Sequence, residues 1–144
     1  MRDESNARNK QSLILAMLEI SKKTDYGLEL ARILAENYDK GPVSLKQLAK
    51  KENLPYRFLG QVVIPLKEAG IIEAKEGTNG GYFLKRKPKD ISLADLIKAL
   101  EGSVNLCDCV DCQRTVGCRS KNFWKEIEKN FIIQMERKSL ADLI

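Results

Sequence analysis

The stretch Ser44-Leu45-Lys46-Gln47-Leu48-Ala49-Lys50-Lys51-Glu52-Asn53-Leu54-Pro55-Tyr56-Arg57-Phe58-Leu59-Gly60-Gln61-Val62-Val63-Ile64-Pro65-Leu66-Lys67-Glu68-Ala69-Gly70 decides the fold. It opens on a capping-box pattern, with the Ser44 hydroxyl placed to cap the Gln47 amide while the Gln47 side chain reaches back. A short helix from Leu45 to Lys51 is therefore expected. After the turn Glu52-Asn53-Leu54, Pro55 suits the first position of a second helix, and Leu59, Val62, Val63 and Leu66 recur at the spacing of a buried stripe. Pro65 cannot donate to the carbonyl four residues back, which predicts a kink or break near Val62 to Ile64. Gly70 is the expected stop. Two short helices joined by a tight turn form helix-turn-helix organisation.

Upstream, Tyr26, Leu30, Ile33 and Leu34 predict a helix from about Thr24 to Asn37, ended by Gly41-Pro42. Downstream, Ile71 to Lys75 and Tyr82 to Arg86 read as strands around a Gly- and Asn-bearing turn, Glu76 to Gly81. That hairpin would be a wing. Ser92-Leu93-Ala94-Asp95 starts another capped helix, with Leu93, Leu96, Ile97 and Leu100 inward and Gly102 as its stop. The hexapeptide Ser92 to Ile97 recurs as Ser139 to Ile144 and reads as two similar helix starts. A last helix, about Arg119 to Lys138, carries Phe123, Trp124, Ile127, Phe131, Ile132 and Met135. So broad an apolar face must pack on its own domain, on a second subunit, or on both. A two-fold homodimer is expected, because duplex recognition by this motif usually needs two copies.

The fold class is thus mainly α with a small β-hairpin wing. The divisions are an N-terminal extension of unassigned role (1–16), a winged helix-turn-helix domain (17–90), and a helix, cysteine loop (107–118) and dimerisation helix (91–144). At 144 residues, with 43% hydrophobic and 31% charged residues, the chain can bury a core without disulfides. The apolar run Leu13 to Leu18 is too short to span a bilayer and lacks a small-residue cleavage site behind it. No membrane anchor and a cytoplasmic location are expected. The net charge of +5 is uneven: Met17 to Asp90 holds 14 basic and 10 acidic side chains, Ile91 to Ile144 holds 8 of each. A polyanionic partner would meet the first part.

The second helix of the motif exposes Tyr56, Arg57, Gly60, Gln61, Ile64 and Lys67 opposite its buried stripe. Arg and Gln can read base edges in the major groove of double-stranded DNA, while Lys46, Lys50, Lys51 and Lys67 can hold phosphates, with Ser44 beside them. At the wing tip, Thr78, Asn79 and Gly80 let backbone approach a phosphate or the minor groove, flanked by Lys75, Lys85, Arg86 and Lys87. The bland readings are a solvated helix face and an ordinary hairpin turn. The basic excess, the turn and the hairpin agree with each other in favour of DNA.

All four cysteines, Cys107, Cys109, Cys112 and Cys118, fall within twelve positions. Thiolates so close can converge on one soft or borderline metal, and iron–sulfur and zinc both accept this set. A structural zinc knot and a metal-free thiol pair are the plainer alternatives. The chain has no His, which removes Ser-His and Cys-His catalysis and any His-ligated site. No paired carboxylates with a pocket are evident, so no enzyme signature is found.

These residues together resemble the IscR/NsrR/CymR (Rrf-two) family of bacterial winged-helix regulators. The resemblance runs from about Met17 to the C-terminus and is carried by Gly41-Pro42-Val43-Ser44-Leu45, Leu66-Lys67-Glu68-Ala69-Gly70, Gly77 to Tyr82, and the cysteine loop followed by Phe123-Trp124. It implies a DNA-binding transcription regulator: a homodimer with the long C-terminal helix at the interface, two DNA half-sites, and a cluster bound by three loop cysteines plus a fourth ligand. The implied cofactor is an iron–sulfur cluster, 2Fe-2S ahead of 4Fe-4S, with zinc as the alternative.

By position, Cys112 and Cys118 match the family's ligands, and either Cys107 or Cys109 supplies the third. Where some members carry a ligating His, this chain has Lys121; the other cysteine or Asp25 then stands as the fourth ligand, Asp25 aligning with a ligating aspartate of nitric-oxide-sensing members. Glu76 stands where relatives often place a wing arginine, so that minor-groove insertion is either lost or transferred to Lys75. Gain, loss or oxidation of the cluster would then change the spacing of the two reading heads, in response to cluster supply, redox state or nitric oxide. The rivals are a metal-free, thiol- or partner-responsive regulator of the same fold, and a small redox carrier using Cys109-Val110-Asp111-Cys112, for which the βα context is missing.

Overall fold

The computed structural model describes residues 20–103 and 117–144. Its helices are α1 (Lys22–Glu36), α2 (Leu45–Lys51), α3 (Tyr56–Glu68), α4 (Leu93–Glu101) and α5 (Arg119–Arg137). The antiparallel hairpin β1 (Ile72–Lys75) and β2 (Gly81–Leu84) follows α3, and short 3-10 turns lie at Pro88–Asp90 and Leu140–Leu143. The chain is therefore mainly helical with a two-stranded wing.

α1 starts at Ser21, whose hydroxyl accepts from the Thr24 amide at 3.1 Å, and it buries Leu30, Ala31, Ile33, Leu34 and Ala35 along one face. It begins two residues before the expected Thr24. Gly27 faces α4 so closely that a Cβ there would lie 2.4 Å from a Leu100 methyl. α3 buries Leu59, Val62, Val63 and Leu66, the four residues whose spacing predicts the stripe. It ends in a Schellman motif: the Gly70 amide donates to Lys67 O and the Ile71 amide to Leu66 O, each at 3.0 Å, with Gly70 at φ 69°.

Three local expectations are corrected. Ser44 is the N-cap of α2, but among the described residues its side chain makes no capping bond. Val43, immediately before it, exchanges both backbone hydrogen bonds with Tyr82 at 2.8 Å, so the entry to α2 is held by the wing instead of by a capping box. Pro55 is the N-cap of α3 and not its first helical residue. Pro65 does not break α3, which runs unbroken from Tyr56 to Glu68. The carbonyl that loses its donor belongs to exposed Gln61, where water can replace the missing bond.

In the hairpin, Ile72 pairs with Leu84 and Lys75 with Gly81. The second strand thus starts one residue earlier and ends sooner than Tyr82–Arg86. Ile71, Ile72 and Leu84 point into the core. One cluster joins α1, α2 and α3 to Ile91, Leu96, Leu100 and Leu140, so the core crosses from the helix-turn-helix part into the C-terminal part.

α4 opens on a complete capping box: the Asp95 amide donates to Ser92 Oγ at 3.0 Å, and the Ser92 amide to Asp95 Oδ2 at 3.2 Å. The repeated hexapeptide does more than start two helical turns. Ser92 and Ser139 form an antiparallel bridge, with the Leu93 amide donating to Lys138 O and the Leu140 amide to Ile91 O, both at 2.8 Å. Fully buried Leu140 anchors the chain after α5 in the core.

Candidate nucleic-acid interface

α3 is held from behind by its apolar stripe, so its other face is open. Tyr56, Arg57, Gln61 and Lys67 are exposed on it, as are Lys46 and Lys50 on α2. Phe58 stacks on Tyr26 of α1, with ring centroids 5.1 Å apart and planes tilted by 43°, fixing the N-terminal turn of α3 against α1. In the wing, Lys75, Thr78 and Asn79 are exposed, while Gly80 and Ser44 are half-buried. Because Val43 is bridged to Tyr82, Ser44 and the start of α2 sit beside the hairpin. The structure thus assembles the expected DNA residues on two adjoining features, helix and wing. Arg86 departs from this arrangement. Its guanidinium lies 3.8 Å from Asp95 on α4, which turns it toward the C-terminal part and away from the wing tip.

The cysteine site is described only at its margins. Cys107, Cys109 and Cys112 lie outside the described residues. Cys118 is half-buried at the N-cap of α5, and among the described residues it makes neither a capping bond nor a disulfide. Asp25 is exposed in the first turn of α1. Among the described residues no group of three Cys, Asp or Glu side chains converges.

A link that sequence reading missed joins these margins. Glu101, in the last turn of α4, accepts hydrogen bonds from the hydroxyls of Ser21 and Thr24 at the N-terminus of α1. The Ser21 and Thr24 donors hold its carboxyl below the usual carboxylate range. Thr24 is 3% exposed and its hydroxyl is fully used. The tie spans 77 and 80 residues, so no local pattern announces it. It places Asp25 at the end of the molecule from which the cysteine segment departs.

α5 differs from every other helix. Of its 19 residues only Met135 is buried among the described residues, whereas Phe123 (59%), Trp124 (41%), Ile127 (38%) and Phe131 (50%) are exposed. Phe123, Ile127 and Phe131 recur every fourth residue and so line one face. No helix of the described residues is long and apolar enough to cross a membrane.

Comparison with known proteins bears on both features. The family model described as Rrf2, iron-dependent transcriptional regulator, matches residues 20–144. CymR, an HTH-type transcriptional regulator of Bacillus subtilis (strain 168), is 34% identical over 126 residues, covering 88% of this chain and 89% of CymR. The HTH-type transcriptional regulator NsrR of Halalkalibacterium halodurans is 30% identical over 132 residues, covering 88% and 90%. The solved structure of CymR, the global cysteine regulator of B. subtilis, matches with a TM-score of 0.75 at 32% identity over 88% of this chain and 95% of that one. T. potens IscR matches with a TM-score of 0.71 at 33% identity over 88% and 85%.

Proposed function

Because the chain belongs to the Rrf2 family of DNA-binding transcriptional regulators, which are not enzymes, we propose that it works as a homodimer whose two helix-turn-helix units read two half-sites, with a thiolate-held iron–sulfur cluster setting their spacing. The observation that supports this reading is where the cysteine segment is attached. One end leaves α4 just after Glu101, which is tied to the cap of α1; the other enters α5 at Cys118. α1 in turn stacks on α3 through Tyr26 and Phe58. A change in the segment therefore acts on a reading helix and on the exposed helix that a second copy would cover.

The donor set fits a soft metal centre. Cys107, Cys109, Cys112 and Cys118, with Asp25 as a rival fourth ligand, suit an iron–sulfur cluster, 2Fe-2S ahead of 4Fe-4S, and zinc accepts the same thiolates. A bound cluster would supply one-electron redox chemistry and a target for nitric oxide. The chain's own residues do the rest: Glu101 keeps α1 registered on α4, and Arg57, Gln61 and Lys67 with the wing residues Lys75, Thr78, Asn79 and Gly80 face the duplex. Ser44, Lys46 and Tyr56 flank them.

Replacing both Cys112 and Cys118 by Ala is expected to abolish visible absorption of anaerobically prepared protein and to change its affinity for promoter DNA. Unchanged DNA binding would sink the coupling. A second reading, a metal-free thiol-responsive regulator, draws on the likeness to CymR, named as a global cysteine regulator. Colourless, iron-free protein whose DNA binding still responds to thiol oxidation would select it.

A further inference from the structure

Two residues on the open face of α3 do not suit a surface built only for water. Ile64, a large apolar side chain, is 59% exposed. Gly60, one turn earlier, lies inside the helix, where glycine is less favourable than alanine. A Cβ on Gly60 would meet no atom of the described residues within 4 Å, and its backbone is not among those with positive φ. Neither packing nor backbone geometry within the chain therefore requires glycine there. What its bareness leaves is open space on the outer surface, one turn from Ile64.

At about 100° per residue, Arg57, Ile64 and Gln61 share the centre of the face opposite Leu59, Val62, Val63 and Leu66, and Gly60 lies beside them. The surroundings are cationic and polar: Lys67 on the same helix, and Lys46 and Lys50 on α2, are exposed. Such a setting selects a polyanion that carries a small apolar group. In the major groove the base edges offer donors, acceptors and one apolar group, the 5-methyl of thymine.

We propose that the open space over Gly60, beside exposed Ile64, receives a thymine 5-methyl group, so that Ile64 determines a preference for one T·A pair in each half-site. The inference rests on α3 being the reading helix. Arg57 and Gln61 take neighbouring base edges by hydrogen bonding, and Ile64 supplies the apolar contact that neither can make. Gly60 permits the approach, because a methyl group placed there would occupy the space the thymine methyl needs.

The test uses the full chain and a duplex that it selects from a randomised pool, with each thymine replaced in turn by deoxyuridine, a change that removes only the methyl. One position per half-site should show a loss of roughly fourfold, the value of one apolar carbon withdrawn from water. Ile64→Ala should bind the thymine and uracil duplexes equally at that position. Gly60→Ala should invert the preference, losing more affinity for the thymine duplex than for the uracil one. Both sites are open, so both variants should melt no lower than the parent, which keeps the comparison free of folding. A selected duplex with no methyl-sensitive thymine, or one equally sensitive in Ile64→Ala, overturns this proposal and leaves the DNA-reading assignment standing. Failure to enrich any duplex overturns both.

Discussion

α3 and α5 are both amphipathic, yet the chain treats them in opposite ways. α3 spends four of its 13 residues on a fully covered stripe and is wedged between α1, α4 and β1. α5, with 19 residues and more aromatic surface, has one buried side chain among the described residues. The position of α3 is thus set by this chain alone, as a part that must present itself accurately to a rigid duplex requires. α5 is held at its C-terminal end, where Met135 and Leu140 are buried, and leaves Phe123, Ile127 and Phe131 uncovered. In the proposed dimer, affinity of the head for DNA and spacing between heads would be controlled by different surfaces, and substitutions should separate them.

The largest separation is expected from Leu66→Ala. Truncating a fully buried leucine should lower unfolding stability by about 2–5 kcal/mol, read in a urea titration, with self-association affected only through folding. Phe131→Ala should do the reverse. The dimer dissociation constant, read by sedimentation, should rise roughly 30-fold, about 2 kcal/mol, while isolated-chain stability stays within about 0.5 kcal/mol. If instead Phe131→Ala unfolds the chain and leaves assembly intact, the contrast between the two helices fails.

Gly27→Ala probes the seam between α1 and α4. The added methyl meets the end of the buried Leu100 side chain, which must rotate away, so a loss of about 1–2 kcal/mol is expected in thermal unfolding. No loss would show that the two helices slide freely and could not transmit a change from the cysteine segment. The smallest effect belongs to Glu101→Gln, about 0.5 kcal/mol, since the carboxylate is solvent-exposed. The hydroxyls of Ser21 and Thr24 depress the Glu101 carboxyl below its unfolded value. Its contribution is therefore complete above the ordinary carboxylate pKa of about 4.3 and is lost as pH falls through the lower folded value. The parent should show this acid-side loss; the Gln variant should lack it. Glu101→Gln should also weaken the response of DNA binding to cluster loading more than it weakens stability.

What was legible in the sequence follows from range. The stripe of α3, the stop at Gly70 and the helix cap at Ser92 are written in spacings of a few residues, and each appears in the structure where that spacing puts it. Ser44 has an equally good local pattern and does not cap, because Val43 is drawn to Tyr82, some forty residues later. Pro65 reads as a helix breaker only if the carbonyl it orphans is denied water, and Gln61 is exposed. The exposed face of α3 was legible because it is the complement of a buried stripe. The margins of the cysteine site were not, since the Glu101 tie and the pairing of the two hexapeptides join positions remote in sequence.

That hexapeptide pairing gives α5 a pivot. Its C-terminal end is clamped at Ser139 and Leu140, while its N-terminal end begins at Cys118, about 28 Å away at 1.5 Å per residue. A rod held toward one end amplifies: a small rotation at the clamp sweeps the Cys118 end through a larger arc. Run backwards, the same geometry gives mechanical advantage, so a pull on Cys118 would become a short-throw torque on the Ser92–Ser139 bridge. Beside that pair, the Asp95–Arg86 contact leads directly to the base of the wing.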